Sequence, residues 1–248
     1  MTKTKTKTKT KGLTKTKGKG KRNDASAGSS TFLFPLFEVR ELHRLQLPRK
    51  VAVEGAVWEN IDLDPPPGMA ESLDEVRRML VMEEELAANP THQAIILREA
   101  GLDLTAYTRP IGIEDTGGYD ATKTLFLTVL KLTEYIGLIY KDRFNRPRPN
   151  QIDPRLRPLL PNPPHASYPS NHSFQSFTIA DIFAEIAESE RAVAEMYRSA
   201  RSVAENREYA GLHYPSDTEA GRQLAKQCTP YLIEAMDETL RRAQLEWN

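Results

Sequence analysis

Residues 121–140 carry Leu125, Phe126, Leu127, Val129, Leu130, Leu132, Tyr135, Ile136, Leu138 and Ile139, apolar side chains that would cover nearly every face of a helix. A helix apolar all round is stable only when other elements surround it, so the chain must supply a shell. Lys131 and Glu134 fall inside the run, and it is short for a bilayer span. The shell can be read on both sides. "SLDE", with Ser72 and Glu75, reads as a capping box opening a helix through Leu73, Val76 and Leu80, and Pro90 with Thr91 restart one. Ile179, Ile182, Phe183 and Ile186 stand at i, i+3, i+4 and i+7, and Val193, Met196, Tyr197 and Ala200 repeat that spacing. "SDTE", with Ser216 and Glu219, reads as a second capping box, opening a last helix that kinks at Pro230 and runs towards Leu240. No segment alternates as a strand would. The predicted fold class is all-α, a helical bundle with residues 121–140 at its centre.

Charge divides the chain unevenly. Of 34 basic residues, nine Lys and one Arg lie in residues 1–22, which hold no acid; the remainder has 24 basic against 34 acidic residues, a net charge of −10. Residues 1–30, rich in Lys and Thr and almost free of apolar side chains, have too little to bury and are expected to be a disordered tail. Such a tail is either simply solvated or a tether to nucleic acid or another anionic surface. Residues 31–248 are expected to form one helical domain. "FLFPLF", residues 32–37, is too short and too far from the start for a secretory core, and it contains Pro35. With no candidate span and a single cysteine, Cys228, the chain reads as soluble and cytoplasmic, with export and homo-oligomerisation left open.

Three clusters in the C-terminal half hold the parts needed to bind and attack an oxyanion: "KDRFNRPRP" (141–149), "YPSNH" (168–172) and "NREYAGLHYPSD" (206–217). Lys141 and Arg148 bring positive charge, and Arg207 adds a second guanidinium fork able to grip two oxygens at once. Ser170 lies where a helix N-cap is expected, so the backbone N–H groups of Asn171, His172 and Ser173 would face the same anion. His213 and Asp217 are four apart, which lets the carboxylate fix one tautomer of the imidazole; His172 is then free to protonate a leaving alcohol. Taken singly, each cluster is as well explained by capping or solvation, and Asp217 by a favourable acid in a first helical turn.

In order, the clusters match K-x6-R-P, P-S-G-H and S-R-x5-H-x3-D. The sequence therefore resembles the type 2 phosphatidic acid phosphatase (PAP2) superfamily, which includes class A acid phosphatases, membrane lipid phosphatases and vanadium-dependent haloperoxidases, over roughly residues 120–225. The resemblance implies that His213 is the nucleophile that forms a phosphohistidine, or the residue that binds vanadium. It implies that Asp217 orients His213, that His172 is the general acid, and that Lys141, Arg148, Ser170, Asn171 and Arg207 hold the oxyanion, with no divalent metal. The activity so implied is a phosphatase acting on a small phosphate ester without a cofactor; a haloperoxidase carrying vanadate comes second, and a noncatalytic phosphate-binding protein third. His165, seven residues before His172, is either a loop histidine at the pocket rim or the second histidine that bromoperoxidases of the family tend to carry. Two residues depart from the pattern: Asn171 replaces Gly and Asn206 replaces Ser. A positive φ at Asn171 would let its N–H still reach the anion, with an altered substrate range or a slower enzyme as the expected cost.

Overall fold

The computed structural model describes residues 34–44, 58–100 and 103–247, all within one compact unit, Leu33–Asn248. The basic tail lies outside the described residues. Among the described residues every regular element is a helix, and no helix is long and apolar enough to cross a membrane. The chain runs α1 (Leu36–Arg44), a 3-10 turn (Trp58–Asn60), α2 (Met69–Ala87), α3 (Pro90–Arg98), α4 (Thr105–Thr108) and α5 (Asp120–Phe144). It continues through α6 (Pro149–Ile152), α7 (Asn171–Ile186), α8 (Glu190–Tyr209), α9 (Pro215–Ala235) and α10 (Asp237–Gln244).

The most enclosed helix is α7, which packs against α5, α8, α9 and α10. This corrects the expectation that residues 121–140 form the centre: in α5, Leu125, Phe126, Val129, Leu132 and Ile136 are buried, whereas Leu138 is exposed. The reason lies in side chains that do not score as apolar. Alongside Ile179, Ile182 and Phe183, α7 buries Ser173, Gln175, Ser176 and Thr178. Ser173 donates to the Thr218 carbonyl (2.6 Å), Gln175 to the Leu130 carbonyl (3.1 Å), and the Ser176 and Tyr107 hydroxyls meet at 2.9 Å. Small hydrogen-bonded side chains let neighbouring helices come close with most of their polar atoms paired, the Thr178 hydroxyl being the exception among these four.

Two glycines set the closest approaches. A Cβ on Gly221 of α9 would lie 2.4 Å from the Ser170 carbonyl oxygen and 3.0 Å from the Phe174 nitrogen, so the start of α7 can rest on α9 only because that position has no side chain. A Cβ on Gly137 of α5 would lie 2.0 Å from Asn171 Oδ1. Both contacts fall beside the motif clusters.

The two expected capping boxes are not formed. Helix α2 starts at Met69 after Gly68, a turn before Ser72, and α9 starts at Pro215 after Tyr214, with Asp217 accepting the Tyr214 N–H (3.2 Å). Ser72, Glu75 and Ser216 bond elsewhere, as described below. Pro230 stands inside α9; the helix continues past it to Ala235 and breaks at Met236 before α10. α2 and α3 lie on α8, closing the side of the bundle where the clusters meet.

Candidate oxyanion site

Each cluster is delivered by a helix end. The last turn of α5 carries Lys141, and Asn145, in the left-handed conformation (φ 45°, ψ 40°), turns the chain so that Arg146 and Arg148 follow directly. Ser170 caps α7, its Oγ accepting the Ser173 N–H (3.3 Å), which leaves the amides of Asn171 and His172 facing the site. Arg207 lies in the last turn of α8, and His213 and Asp217 bracket the start of α9. The Ser170 N–H donates to the Asp217 carbonyl (2.9 Å), joining the second cluster to the third.

His213 is buried. Its Nδ1 lies 3.0 Å from Asp217 Oδ2, and its Nε2 lies 3.1 Å from an Arg148 terminal nitrogen. A guanidinium nitrogen can only donate and a carboxylate can only accept, so the proton sits on Nδ1 and the lone pair on Nε2. Asp217 Oδ2 also accepts from Ser167 Oγ, and Oδ1 accepts from Arg146 (2.6 Å).

The remaining cations are buried with few anionic partners. Lys141, 1% exposed, donates to the carbonyls of Ala166, Ser167 and Pro169 (3.0, 2.7 and 2.6 Å). Arg148 donates to the carbonyls of Leu212, His165 and Ala166 and faces His165 Nδ1 (3.1 Å), and its Nε has no partner. Arg207 reaches the Ile96 carbonyl and Glu99 (3.2 Å each), leaving Nε and one terminal nitrogen unpartnered. Burial, with Arg148 beside it, holds the Lys141 pKa well below the usual lysine range despite the opposing pull of Asp217, and burial lowers Arg148 to about 10. His172 is pushed down to about 3 by burial and then by Arg207, Lys141 and Arg148; His213 moves the same way, with Arg148 as the nearest cause after burial. Concentrated positive charge with unpartnered N–H groups fits a tetrahedral or trigonal oxyanion such as phosphate or vanadate.

His172, His213, His165 and Asn171 line a chamber of about 430 Å³ together with Ile95, Tyr107, Leu130, Leu138 and Val203 and the charged Glu99, Arg109 and Glu134. His165 is thus beside Arg148 and opens on the same space. The structure therefore brings together all eight of His213, His172, Asp217, Lys141, Arg148, Ser170, Asn171 and Arg207, with His165 at the edge.

The two departures have structural accounts. Asn171 is the first residue of α7, and among the described non-glycine residues only Asn145 has a positive φ, so the expected left-handed backbone at Asn171 is not adopted. Instead its side chain occupies the space that Gly137 leaves, with Oδ1 buried and unpartnered. Asn206 joins α8 to α3: its Oδ1 lies 2.6 Å from His92 Nε2 and its Nδ2 donates to Glu99 (2.8 Å), the carboxylate that also accepts from Arg207. Sequence reasoning passed over Arg146, Ser167, Glu75 and Glu99. Arg146 lies within a cluster and Ser167 beside one; the two glutamates lie far from the clusters in the chain, Glu99 without a local signal and Glu75 with one that reads as a helix cap.

A family model described as the PAP2 superfamily matches residues 122–233. No curated protein matches the sequence. Among solved structures the fold is similar to that of the first bacterial vanadium-dependent iodoperoxidase, with a TM-score of 0.52 and 18% identity over 71% of this chain; the match spans 53% of the peroxidase.

Proposed function

We propose, from the match of residues 122–233 to the PAP2 superfamily, that this chain hydrolyses phosphoric monoesters through a phosphohistidine formed on His213. The observation that carries this reading is the state of that imidazole: Nδ1 on Asp217 and a lone pair on Nε2 beside Arg148. The phosphoryl oxygens would lie against Lys141, Arg148, Arg207, Ser170 and the amides of Asn171 and His172, which neutralise the charge that builds on them in the transition state. His213 Nε2 attacks phosphorus, a P–N bond forms as the ester P–O bond breaks, and His172 gives its proton to the departing oxygen. Water then attacks the phosphohistidine, returning its proton to His172 as the P–N bond breaks and phosphate leaves. The low proton affinity of His172 in the free protein suits this order, since a bound dianion opposes the neighbouring cations and draws a proton onto the ring. The organic half of the ester faces the chamber walls.

One observation favours a second reading, haloperoxidase activity: His165 shares the chamber and lies 3.1 Å from Arg148. The same residues fit vanadate, with His213 as its protein ligand, and bound vanadate would supply activation of hydrogen peroxide towards halide. The test is hydrolysis of p-nitrophenyl phosphate by the purified chain at mildly acidic to neutral pH, with His213→Ala as control. Turnover that vanadate inhibits and the substitution removes supports the phosphatase. Bromide oxidation with vanadate and peroxide, without hydrolysis, supports the second reading, and phosphate binding with neither activity supports a noncatalytic binding protein.

A further inference from the structure

Arg146 and Arg148 are two residues apart in one loop, yet they serve different partners. Arg146, buried, donates from one terminal nitrogen to Asp217 Oδ1 (2.6 Å) and Ser216 Oγ (2.7 Å), and from the other to Glu75 Oε2 (2.9 Å) and Ser72 Oγ (2.7 Å). Its guanidinium lies over the Tyr214 ring, 3.6 Å from the centroid. Glu75 accepts in addition from the Ser216 N–H (2.7 Å) and hydroxyl (2.8 Å), tying α2 to the first turn of α9. The two oxygens of Asp217 are thereby divided, Oδ1 to Arg146 and Oδ2 to His213.

Resting on the phosphatase reading, we infer that Arg146, anchored by Glu75 and Ser72, is a positioning residue that keeps Asp217 ionised and so keeps the lone pair of His213 on Nε2. A carboxyl as buried as Asp217 favours its protonated form. Arg146 is the strongest opposing influence, followed by the Ser167 hydroxyl and Lys141. A protonated Asp217 would donate to Nδ1, which moves the imidazole proton to Nε2 and removes the attacking lone pair. Ser72 and Glu75 lie outside the residues that match the superfamily, so α2 contributes a part of the site that the three clusters do not contain.

The experiment compares Arg146→Lys, Arg146→Met and Glu75→Gln with the unaltered chain by steady-state hydrolysis of p-nitrophenyl phosphate and by 15N NMR of the histidines. Arg146→Lys and Glu75→Gln keep a polar group in the network, so they remain informative should Arg146→Met fail to fold. Expected for Arg146→Lys is a fall in kcat of roughly 10- to 100-fold with KM changed by less than about threefold, and a greater fall for Arg146→Met. The His213 resonances should shift towards the tautomer protonated on Nε2. Folded Arg146→Lys and Glu75→Gln proteins with unaltered kcat and an unaltered His213 tautomer would overturn the inference, even if both melt at lower temperature. If the unaltered chain does not hydrolyse the ester, the phosphatase reading fails while the tautomer still decides the positioning role.

Discussion

The two guanidinium groups of the "RPR" segment divide the site into contrasting halves. Around Arg146, positive charge meets Glu75 and Asp217 at hydrogen-bonding distance, and both terminal nitrogens are occupied, Nε alone lacking a partner. Around Arg148 and Lys141 the partners are backbone carbonyls and imidazole nitrogens, with Arg148 Nε and two nitrogens of Arg207 unpartnered. A buried cation paired with carboxylates makes the loss of either partner strongly destabilising, whereas burying one without them costs stability and creates affinity for an anion. On the phosphatase reading, the first half holds geometry and the second half binds.

That contrast is exposed most severely by Asp217→Ala. It leaves Arg146 with Glu75 as its one carboxylate partner and frees His213, so stability should fall by about 3–5 kcal/mol and kcat by roughly 10⁴-fold, measured by urea denaturation and by turnover. Arg148→Met should separate the two quantities. Its kcat/KM should drop about 10²- to 10³-fold and vanadate inhibition should weaken, while the melting temperature holds or rises. A large loss of stability in Arg148→Met would erase the distinction between the halves.

His172 offers a test by pH. Its folded-state pKa of about 3 lies below the ordinary histidine value near 6.5, so the unfolded chain takes up a proton first as pH falls. Its contribution to stability is present above about pH 6.5 and is lost between there and about pH 3. Sulfate bound among the cations would raise that pKa, so sulfate should increase the melting temperature more at pH 5 than at pH 8. An equal increase at both would remove His172 from the binding half.

The smallest expected effect concerns the packing beneath that half. Gly137→Ala should cost about 1–3 kcal/mol by overpacking against Asn171, and Asn171→Gly in the same chain should restore most of it. Additive effects in a double-mutant cycle would show that the two positions do not compensate one another.

How far the sequence reveals this arrangement depends on the range of each interaction. The spacing of Ile179, Ile182 and Phe183 marks a buried face because helical neighbours are fixed by local geometry. The enclosure of α7 is hidden, since Ser173, Ser176 and Gln175 look like surface residues until the carbonyl and hydroxyl groups of other helices satisfy them. The same limit undid the capping boxes: Ser72, Glu75 and Ser216 spell a local signature, yet their partners include Arg146, some 70 residues distant in the chain. The motif residues that gather around His213 could be read from spacing, while Glu75 and Glu99, which bond to Arg146 and Arg207, lie before the matched region and follow no periodic pattern.

The central claim is that the lone pair on His213 Nε2 attacks phosphorus. Rapid acid-free quenching of the chain with a 32P-labelled aryl phosphate, followed by peptide mapping, tests it most directly. The account predicts base-stable, acid-labile label on the peptide containing His213, absent from His213→Ala. Hydrolysis that proceeds with no label on that peptide, or that survives in His213→Ala, would contradict it.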